Sequence, residues 1–241
     1  MRRLAVLCSV LVFVDTMLFA ALTPLLPHFA HEFGLSKARA GVLVAAYAGG
    51  ALVAGALGGI AATKLGPRRA VLIGLTFVGL ASLGFAFAGE FWTLFAARLL
   101  QGGGSGFTWA GAFAWLIAAA PRERRGQMLG TAMGSATFGA MFGPVVGAAA
   151  ALAGRNVVFT VLAVLTIALG AVALQIESSP PEELSFAAAA RALRNDSFVT
   201  GLVLMGLGAL LFGILAVLAP LHLSAAGWGA AAIGAVWLVS A

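Results

Sequence analysis

Long apolar segments alternate with short charged segments along the whole chain. Each apolar segment runs for about 20 residues, the length that a helix needs to cross the hydrocarbon core of a bilayer. Transmembrane β-strands would instead be about 10 residues long and would alternate in polarity. The pattern therefore predicts helical spans, with an eighth span beginning near Trp228. The seven complete spans are predicted at residues 4–27, 39–63, 70–89, 91–120, 127–153, 156–176 and 198–223.

Composition also indicates an all-α membrane protein. Hydrophobic residues make up 62% of the 241 residues and charged residues 9%, and the mean hydropathy is +1.06. A soluble domain carries roughly 25% charged residues. Arg2 and Arg3 precede an apolar run, as in a signal peptide, but the run continues to Pro24 and further spans follow, which favours a first transmembrane helix. The single cysteine, Cys8, excludes a disulfide within the chain.

The net charge of +6 is distributed as in a membrane protein and not as in a nucleic-acid-binding protein. Cations concentrate in alternate loops, which identifies those loops as cytoplasmic. The N-terminus is therefore predicted to be cytoplasmic, with the protein in the cell (plasma or inner) membrane. Of the lysines and arginines, Arg98 alone lies deep within a predicted span. The predicted inner loops carry Arg2, Arg3, Lys64, Arg68, Arg69, Arg122, Arg124, Arg125, Arg191 and Arg194, and the outer loops carry Lys37, Arg39 and Arg155.

One connection is longer and more polar than the others. Residues 177–197 contain two adjacent prolines and several charges, with a short amphipathic helix predicted around Leu184–Leu193. We therefore expect a six-span N-terminal bundle at 1–176, a cytoplasmic linker at 177–197 and the start of a second transmembrane bundle at 198–241.

The loop between the second and third predicted spans reads GIAATKLGPRRAVL. It resembles the major facilitator superfamily signature G-x-L-A-D-R-x-G-x-R-R, and the layout of spans resembles that family as well. The resemblance implies a cytoplasmic gate in this loop. Thr63 replaces the family's aspartate, which is implied to stabilise the outward-facing state, and a threonine cannot pair with a charge. A plain basic inner loop is the alternative. The gate residues are Gly59, Thr63, Lys64, Gly66, Arg68 and Arg69, with Ala62 also matching.

The fourth predicted span contains RLLQGGGSG, an arginine and a glutamine followed by a glycine run. The segment resembles the family motif R-x-x-Q-G-x-G. Arg98 is expected about 10 Å below the outer end of its span, at 1.5 Å per residue, so it should face a cavity or a partner unless it snorkels to the interface. Arg98 and Gln101 are predicted to set the electrostatics of a cavity. Ser105, Trp109 and Phe113 follow on that side and are candidates for lining the substrate, although packing is the alternative for the aromatic residues.

Two glycine ladders run along the fifth predicted span. The first is Gly126, Gly130 and Gly134. The second, within GAMFGPVVGA, resembles the family's antiporter motif G-x-x-x-G-P-x-x-G-G, departing at Ala148. That motif implies exchange transport, whereas ordinary close packing of helices is the structural alternative. The motif positions are Gly139, Gly143, Pro144 and Gly147.

Asp15 lies about 16 Å along the first predicted span, near the middle of the bilayer. An isolated carboxylate at this depth should be protonated or paired. The surrounding stretch resembles the first helix of drug:proton antiporters and vesicular-amine-type transporters, which implies that Asp15 binds a proton or a cation. A structural aspartate bonded to the backbone or to Thr16 is the alternative.

These resemblances imply a proton-coupled efflux antiporter that moves a small amphiphilic, cationic molecule by alternating access. Its partners would be that molecule, protons and the lipid bilayer, with no cofactor. No catalytic triad, zinc-ligand cluster or nucleotide loop is present, which argues against an enzyme. His28 and His31, beside Glu32, are expected in the first outer loop with no metal role. The alternatives are a sugar or metabolite carrier and a non-transporting truncated bundle.

Length bears on that choice. Twelve spans with their loops need well over about 350 residues, so the sequence predicts a fragment or a truncated reading frame. An in-frame continuation beyond codon 241 with four more spans would favour a transporter, and a natural stop would favour a half-module or an inert bundle.

Overall fold

Helices account for nearly all of the described chain. The computed structural model describes residues 1–178 and 194–240, and neither range contains a β-strand. The predicted all-α membrane fold is confirmed. The predicted amphipathic helix at 184–193 lies outside the described residues. The helices are α1 Arg2–Ala20, α2 Leu22–Glu32, α3 Lys37–Lys64, α4 Pro67–Phe87, α5 Phe91–Ala119, α6 Arg125–Ala153, α7 Arg155–Leu174, α8 Asp196–Ala225 and α9 Ala230–Ser240, with a short 3-10 helix at Arg122–Arg124.

The first span is longer than predicted. α1 and α2 together run from Arg2 to Glu32, and Ala21 between them keeps a right-handed helical conformation. The prediction that His28, His31 and Glu32 lie in a loop is therefore wrong. The predicted span ends at residue 27, but α2 continues through Pro27. Membrane helices accept proline where neighbouring groups satisfy the freed backbone carbonyls.

Within the described residues, six helical segments are long and apolar enough to cross a membrane. α5 is not among them, although its 29 residues are long enough to span. Its sequence is made more polar by Arg98, Gln101 and the glycine run. α5 packs between α3 and α4, so its polar face is shielded by protein and not by lipid. Hydropathy alone underestimates a span of this kind.

The glycine run of α5 lies against the backbones of both neighbouring helices. A methyl group at Gly102 would collide with the carbonyl oxygen of Tyr47 on α3. On the other side, a methyl group at Gly104 would lie 2.7 Å from the carbonyl oxygen of Gly74 on α4. Tight packing on two sides therefore offsets the helix propensity of glycine, which is about 1 kcal/mol poorer than that of alanine.

The two glycine ladders of α6 have different surroundings. Gly126, Gly130 and Gly134 have no neighbouring helix within 4 Å among the described residues. The second ladder packs tightly against the first span, and Pro144 lies inside the helix between its members. A methyl group on each glycine of the second ladder would meet a backbone carbonyl oxygen. These contacts are Gly139 to Phe13, Gly143 to Met17 and Gly147 to Ala21.

The last two helices pack on the outside of this bundle. α8 contacts α2 and α3, and α9 contacts α6 and α2. A methyl group at Gly234 of α9 would lie 3.1 Å from the carbonyl oxygen of Pro144. The α8–α9 segment therefore lies beside α2, α3 and the helix that carries the second glycine ladder.

Polar contacts tie the helices together at both ends of the bundle. At one end, Arg68 donates to the Ile176 carbonyl at 3.3 Å, and the Trp115 indole donates to the Glu177 carbonyl at 3.2 Å. At the opposite end, Arg155 pairs with Glu32 at 3.0 Å and donates to the Ala88 carbonyl at 2.6 Å. The second group joins α2, α4 and α7, so Arg155 holds three helices in register.

Candidate functional site

Asp15 is buried in the bundle with one carboxylate oxygen surrounded by donors. Its side chain is 3% exposed. Oδ2 accepts hydrogen bonds from Ser105 Oγ at 2.7 Å, Trp109 Nε1 at 2.7 Å and the Tyr47 hydroxyl at 3.2 Å. Oδ1 is buried without a partner. One oxygen is thus held by the protein and the other is left unpaired.

The folding of α5 explains why two of these donors meet one oxygen. Ser105 and Trp109 are four residues apart, so they lie on the same face of the helix one turn from each other. The close approach of α5 to α3 at Gly102 and Gly106 brings that face to the α1–α3 side of the bundle. Helical periodicity therefore places Ser105 and Trp109 on one face of α5. The glycine contacts bring that face within hydrogen-bonding distance of Asp15.

Thr16 does not support Asp15. Its hydroxyl lies 2.9 Å from the Val12 carbonyl, 3.2 Å from the Phe13 carbonyl and 2.9 Å from the Ala136 carbonyl on α6. The neighbouring hydroxyl thus connects α1 to α6, and the contacts of the Asp15 side chain come from α3 and α5.

Arg98 is fully inside the protein. It is 1% exposed, Nη1 donates to Gln101 Oε1 at 2.7 Å, and Nη2 donates to the Phe19 carbonyl at 3.1 Å. Its guanidinium carbon lies 5.2 Å from the centroid of the Phe19 ring and 4.8 Å from that of Tyr47. Nε is buried without a partner. The guanidinium is thus stabilised by an amide, a carbonyl and two aromatic rings.

Tyr47 connects the two charged side chains. No salt bridge joins Asp15 to Arg98, although both residues are described. The ring of Tyr47 lies against Arg98, and its hydroxyl reaches Ser105 Oγ at 2.7 Å and Asp15 at 3.2 Å. Sequence reasoning missed this residue. The available signal was that the chain's one tyrosine lies within a span, because a buried tyrosine hydroxyl requires a partner.

A cavity of about 350 Å³ opens beside Asp15. Phe113, the third predicted lining residue, is not part of its wall. The Phe113 ring packs 5.3 Å from the Trp109 ring and against the hydrophobic core. Polar and aromatic side chains of the cavity wall are Asp15, Thr16, Phe19, Tyr47, Ser105 and Trp109, and Ala51, Gly55, Gly106 and Ala110 complete it.

The described residues contain no cluster of three or more histidine, cysteine, aspartate or glutamate side chains that could hold a metal ion.

The family model of the Major Facilitator Superfamily matches residues 8–241 of the chain. The chain belongs to the major facilitator superfamily. Members of this family are multi-pass membrane transporters rather than enzymes, and the predicted resemblance of the chain to the family is confirmed.

The chain is similar in sequence to curated proteins whose names describe different roles. The chain is 34% identical over 185 residues to a probable vesicular acetylcholine transporter-B from Danio rerio, covering 73% of this chain and 38% of the relative. It is 28% identical over 107 residues to the quinolone resistance protein NorA of Staphylococcus aureus (strain MRSA252), covering 44% of this chain and 28% of NorA.

A solved structure has the same fold. The proton:xylose symporter XylE, bound to 6-bromo-6-deoxy-D-glucose, aligns with a TM-score of 0.64 at 16% identity, over 73% of this chain and 45% of XylE. At that identity the likeness concerns the fold. The chain spans less than half the length of each of these three superfamily proteins.

The superfamily signature loop lies away from the Asp15 cavity. Thr63, which replaces the family aspartate, uses its hydroxyl within α3, at 3.2 Å from the Gly59 carbonyl and 2.8 Å from that of Ile60. Lys64 ends α3, and Gly66 is the N-cap residue before α4, with a φ of 91° that favours glycine. Of the two arginines, Arg68 reaches the end of α7, and Arg69 is exposed.

Proposed function

We propose that this superfamily member exports a small amphiphilic cation in exchange for protons, and that Asp15 carries both. The arrangement around Asp15 is the observation that supports this proposal. Three donors converge on Oδ2, which suits an ionised carboxylate, while the buried Oδ1 lacks a partner that a proton or a cationic group would supply. A proton and a cation would then compete for one carboxylate, which is the requirement for exchange.

The walls of the cavity suit an organic cation. Phe19, Tyr47 and Trp109 present aromatic rings beside the carboxylate. Such rings attract cations through their quadrupole, and cages of this kind are used to recognise quaternary ammonium groups. The names of two relatives refer to acetylcholine, which is a quaternary ammonium ion, and to quinolone resistance. A sugar, with its many hydroxyl groups, would require more amide and charged partners than this wall offers.

The proposal includes an orientation and a gate. We place the N-terminus in the cytoplasm of the cell, because the basic loops lie on that side under the positive-inside rule. The loop from Gly59 to Arg69 would then be the cytoplasmic gate, and alternating access would arise from rocking of this bundle against a second one.

Transport in proteoliposomes tests the proposal. Tetraphenylphosphonium, a permanently charged amphiphilic cation, serves as the probe, and a pH gradient is imposed across the membrane. We expect the gradient to drive tetraphenylphosphonium exchange by the native protein and not by Asp15→Asn, which stays folded because its amide oxygen still accepts the three donors. Thr108→Val is the matched control, since the Thr108 hydroxyl is buried on α5 without a partner.

Each other result would contradict a defined part of the proposal. Unchanged pH-driven exchange by Asp15→Asn would mean that another group carries the proton. Transport of xylose in place of tetraphenylphosphonium would identify a sugar carrier. A folded protein that moves neither probe would be a non-transporting bundle.

A further inference from the structure

Tyr47 and Phe19 lie between two cavities. The cavity of about 350 Å³ beside Asp15 continues from Tyr47 toward the Lys64 end of α3, past Ala51 and Gly55. A larger cavity of about 1070 Å³ continues from Tyr47 toward the Lys37 end, past Ala45, and has α8 as its other wall. Phe19 and Tyr47 line both cavities. The two rings therefore separate a space that holds the carboxylate from a space that does not.

Arg98 holds this pair of rings together. The Phe19 and Tyr47 ring centroids are 4.7 Å apart, and the guanidinium lies against both of them. Gln101 and the Phe19 carbonyl fix the guanidinium in turn. We call Phe19 and Tyr47, with Arg98 against both rings, the aromatic septum.

The hydroxyl of Tyr47 connects the septum to Asp15. It lies 2.7 Å from Ser105 Oγ, and Ser105 donates to Asp15 Oδ2 at 2.7 Å, whereas the direct distance from the Tyr47 hydroxyl to Oδ2 is 3.2 Å. A hydroxyl has one hydrogen, so Tyr47 donates to one of these two acceptors at a time, and the shorter contact, to Ser105, continues to Asp15 through the Ser105 hydroxyl. Loss of negative charge at Asp15 weakens the bond from Ser105 to Oδ2, because hydrogen bonds to an ionised acceptor are roughly twice as strong as neutral ones. The bond from Tyr47 to Ser105 weakens with it, because linked hydrogen bonds polarise one another.

We propose that Tyr47 is a positioning residue that couples the charge of Asp15 to the closure of the aromatic septum. The proposal rests on the proposed function, since it supplies the link between loading of Asp15 and access from one cavity or the other. With Asp15 ionised, the hydroxyl is held toward Ser105, and the ring stays between Arg98 and Phe19. With Asp15 neutralised by a proton or a cation, the ring is released and the two cavities connect.

The titratable groups at the septum come from three helices. They are Asp15 of α1, Tyr47 of α3 and Arg98 of α5. The α8 residues that line the larger cavity are glycine, leucine, isoleucine and valine, none of which titrates. Among the described residues, neutralisation of Asp15 is thus the change in charge to which the septum would respond.

Cysteine accessibility tests the coupling without a substrate or a pH change. Ala45→Cys reports on the larger cavity and Ala51→Cys on the Asp15 cavity, each in a Cys8→Ala background, because Cys8 is the one native cysteine. The measurement is the ratio of the two rates of modification by a charged methanethiosulfonate, at fixed pH in nanodiscs. Asp15→Asn imitates the neutral carboxyl group. It is combined with Tyr47→Phe in a double-mutant cycle, which isolates the coupling between the two positions.

We expect Asp15→Asn to change the rate ratio several-fold when Tyr47 is present and to leave it unchanged in the Tyr47→Phe background, which keeps the ring and removes the hydroxyl. An equal change in both backgrounds, or no change in either, would overturn the coupling. If Tyr47→Phe does not fold, Ser105→Ala breaks the same path on α5 and takes its place. If tetraphenylphosphonium is not transported but the double-mutant cycle gives the expected result, the proposed substrate is rejected and the coupling between Asp15 and Tyr47 is retained. The two proposals can therefore fail separately.

Discussion

Asp15 and Arg98 are opposite charges within one bundle, yet each is stabilised mainly by neutral groups. Three donors surround one oxygen of Asp15, and an amide, a carbonyl and two rings surround Arg98. A buried charge that is satisfied by dipoles can lose its charge without leaving a bare partner behind, unlike a member of a buried ion pair. This arrangement suits the proposed exchange, in which the carboxylate would be neutralised and recharged in each cycle.

Two hydroxyl groups on α5 offer a comparison at the scale of single residues. Ser105 donates to Asp15 and lies within hydrogen-bonding distance of Tyr47, whereas the Thr108 hydroxyl is buried without a partner. We expect Ser105→Ala to lower the free energy of unfolding by about 1–3 kcal/mol, because it removes a bond to a charged group. Thr108→Val keeps the shape and removes an unsatisfied polar atom, so it should be neutral or stabilising. Thermal unfolding in detergent measures both, and equal losses in the two variants would contradict the assigned contacts.

The residues of the site were predictable where polarity or spacing marked them. Asp15 and Arg98 stand out as charges within spans, and Gln101, Ser105 and Trp109 follow Arg98 at helical spacing. Tyr47 has no polar neighbour along α3, so its role depends on how α3 packs against α5, which no pattern within α3 records. Phe113 shares a face with Trp109, but a lining position depends on a cavity's exact extent, and its ring packs beside the core instead.

At the scale of helices, glycine spacing predicted that close contacts would form but not which ladder would form them. The ladder Gly139, Gly143, Gly147 meets the α1–α2 backbone, and the ladder Gly126, Gly130, Gly134 meets no described neighbour. Both ladders repeat every four residues and present small residues on one face of the helix. Partner choice depends on the path of another helix, so the sequence of α6 alone could not distinguish them.

Adjacent glycines of α5 should respond differently to a methyl group. Gly102→Ala would force the new Cβ into the Tyr47 carbonyl oxygen, whereas the nearest atom to a Cβ at Gly103 is 3.8 Å away. We expect Gly102→Ala to destabilise the protein by about 1–3 kcal/mol through overpacking. Gly103→Ala should be neutral or stabilising, because alanine favours the helix by about 1 kcal/mol. Unfolding by heat in detergent compares the pair, and equal melting temperatures would refute the α3–α5 contact.

The two ladders of α6 provide a second pair of variants. A Cβ at Gly143 would meet Ala20 and the Met17 carbonyl, and a Cβ at Gly130 would meet nothing within 4 Å. Gly143→Ala should therefore separate α6 from the first span and lower the melting temperature, while Gly130→Ala should not lower it. Cross-linking of cysteines placed on α1 and α6 would show the separation directly. A lower melting temperature in Gly130→Ala alone would reverse this assignment.

At the scale of the whole molecule, the order and approximate bounds of the helices were predictable, because each span repeats a simple requirement of length and hydropathy. The continuation of α2 to Glu32 was not predicted, and at that end Glu32 pairs with Arg155 at the start of α7. Membrane orientation is a further property of the whole chain, and it rests on the distribution of loop cations.

Reporter fusions test that orientation. A reporter fused after Ser178 is expected in the cytoplasm, and one inserted near Lys37 is expected outside, because the loops of the N-terminal side carry most of the arginines. Alkaline phosphatase and a fluorescent protein, which are active on opposite sides of a bacterial inner membrane, give complementary signals at each position. Reversed signals at both positions would invert the proposed topology and remove the cytoplasmic gate from the Gly59–Arg69 loop.

The contact between α3 and α5 has a mechanical consequence. Gly102 and Gly106 bring the two backbones together with no layer of side chains between them. Side-chain layers are what permit packed helices to slide by small rotamer adjustments, as in shear motions. α3 and α5 should therefore move as one rigid unit. Any displacement that opens one cavity must take place between this unit and the neighbouring helices. Tyr47 and Arg98 project from these two helices, so the backbone displacement that accompanies release of the Tyr47 ring falls on α1, which carries Phe19.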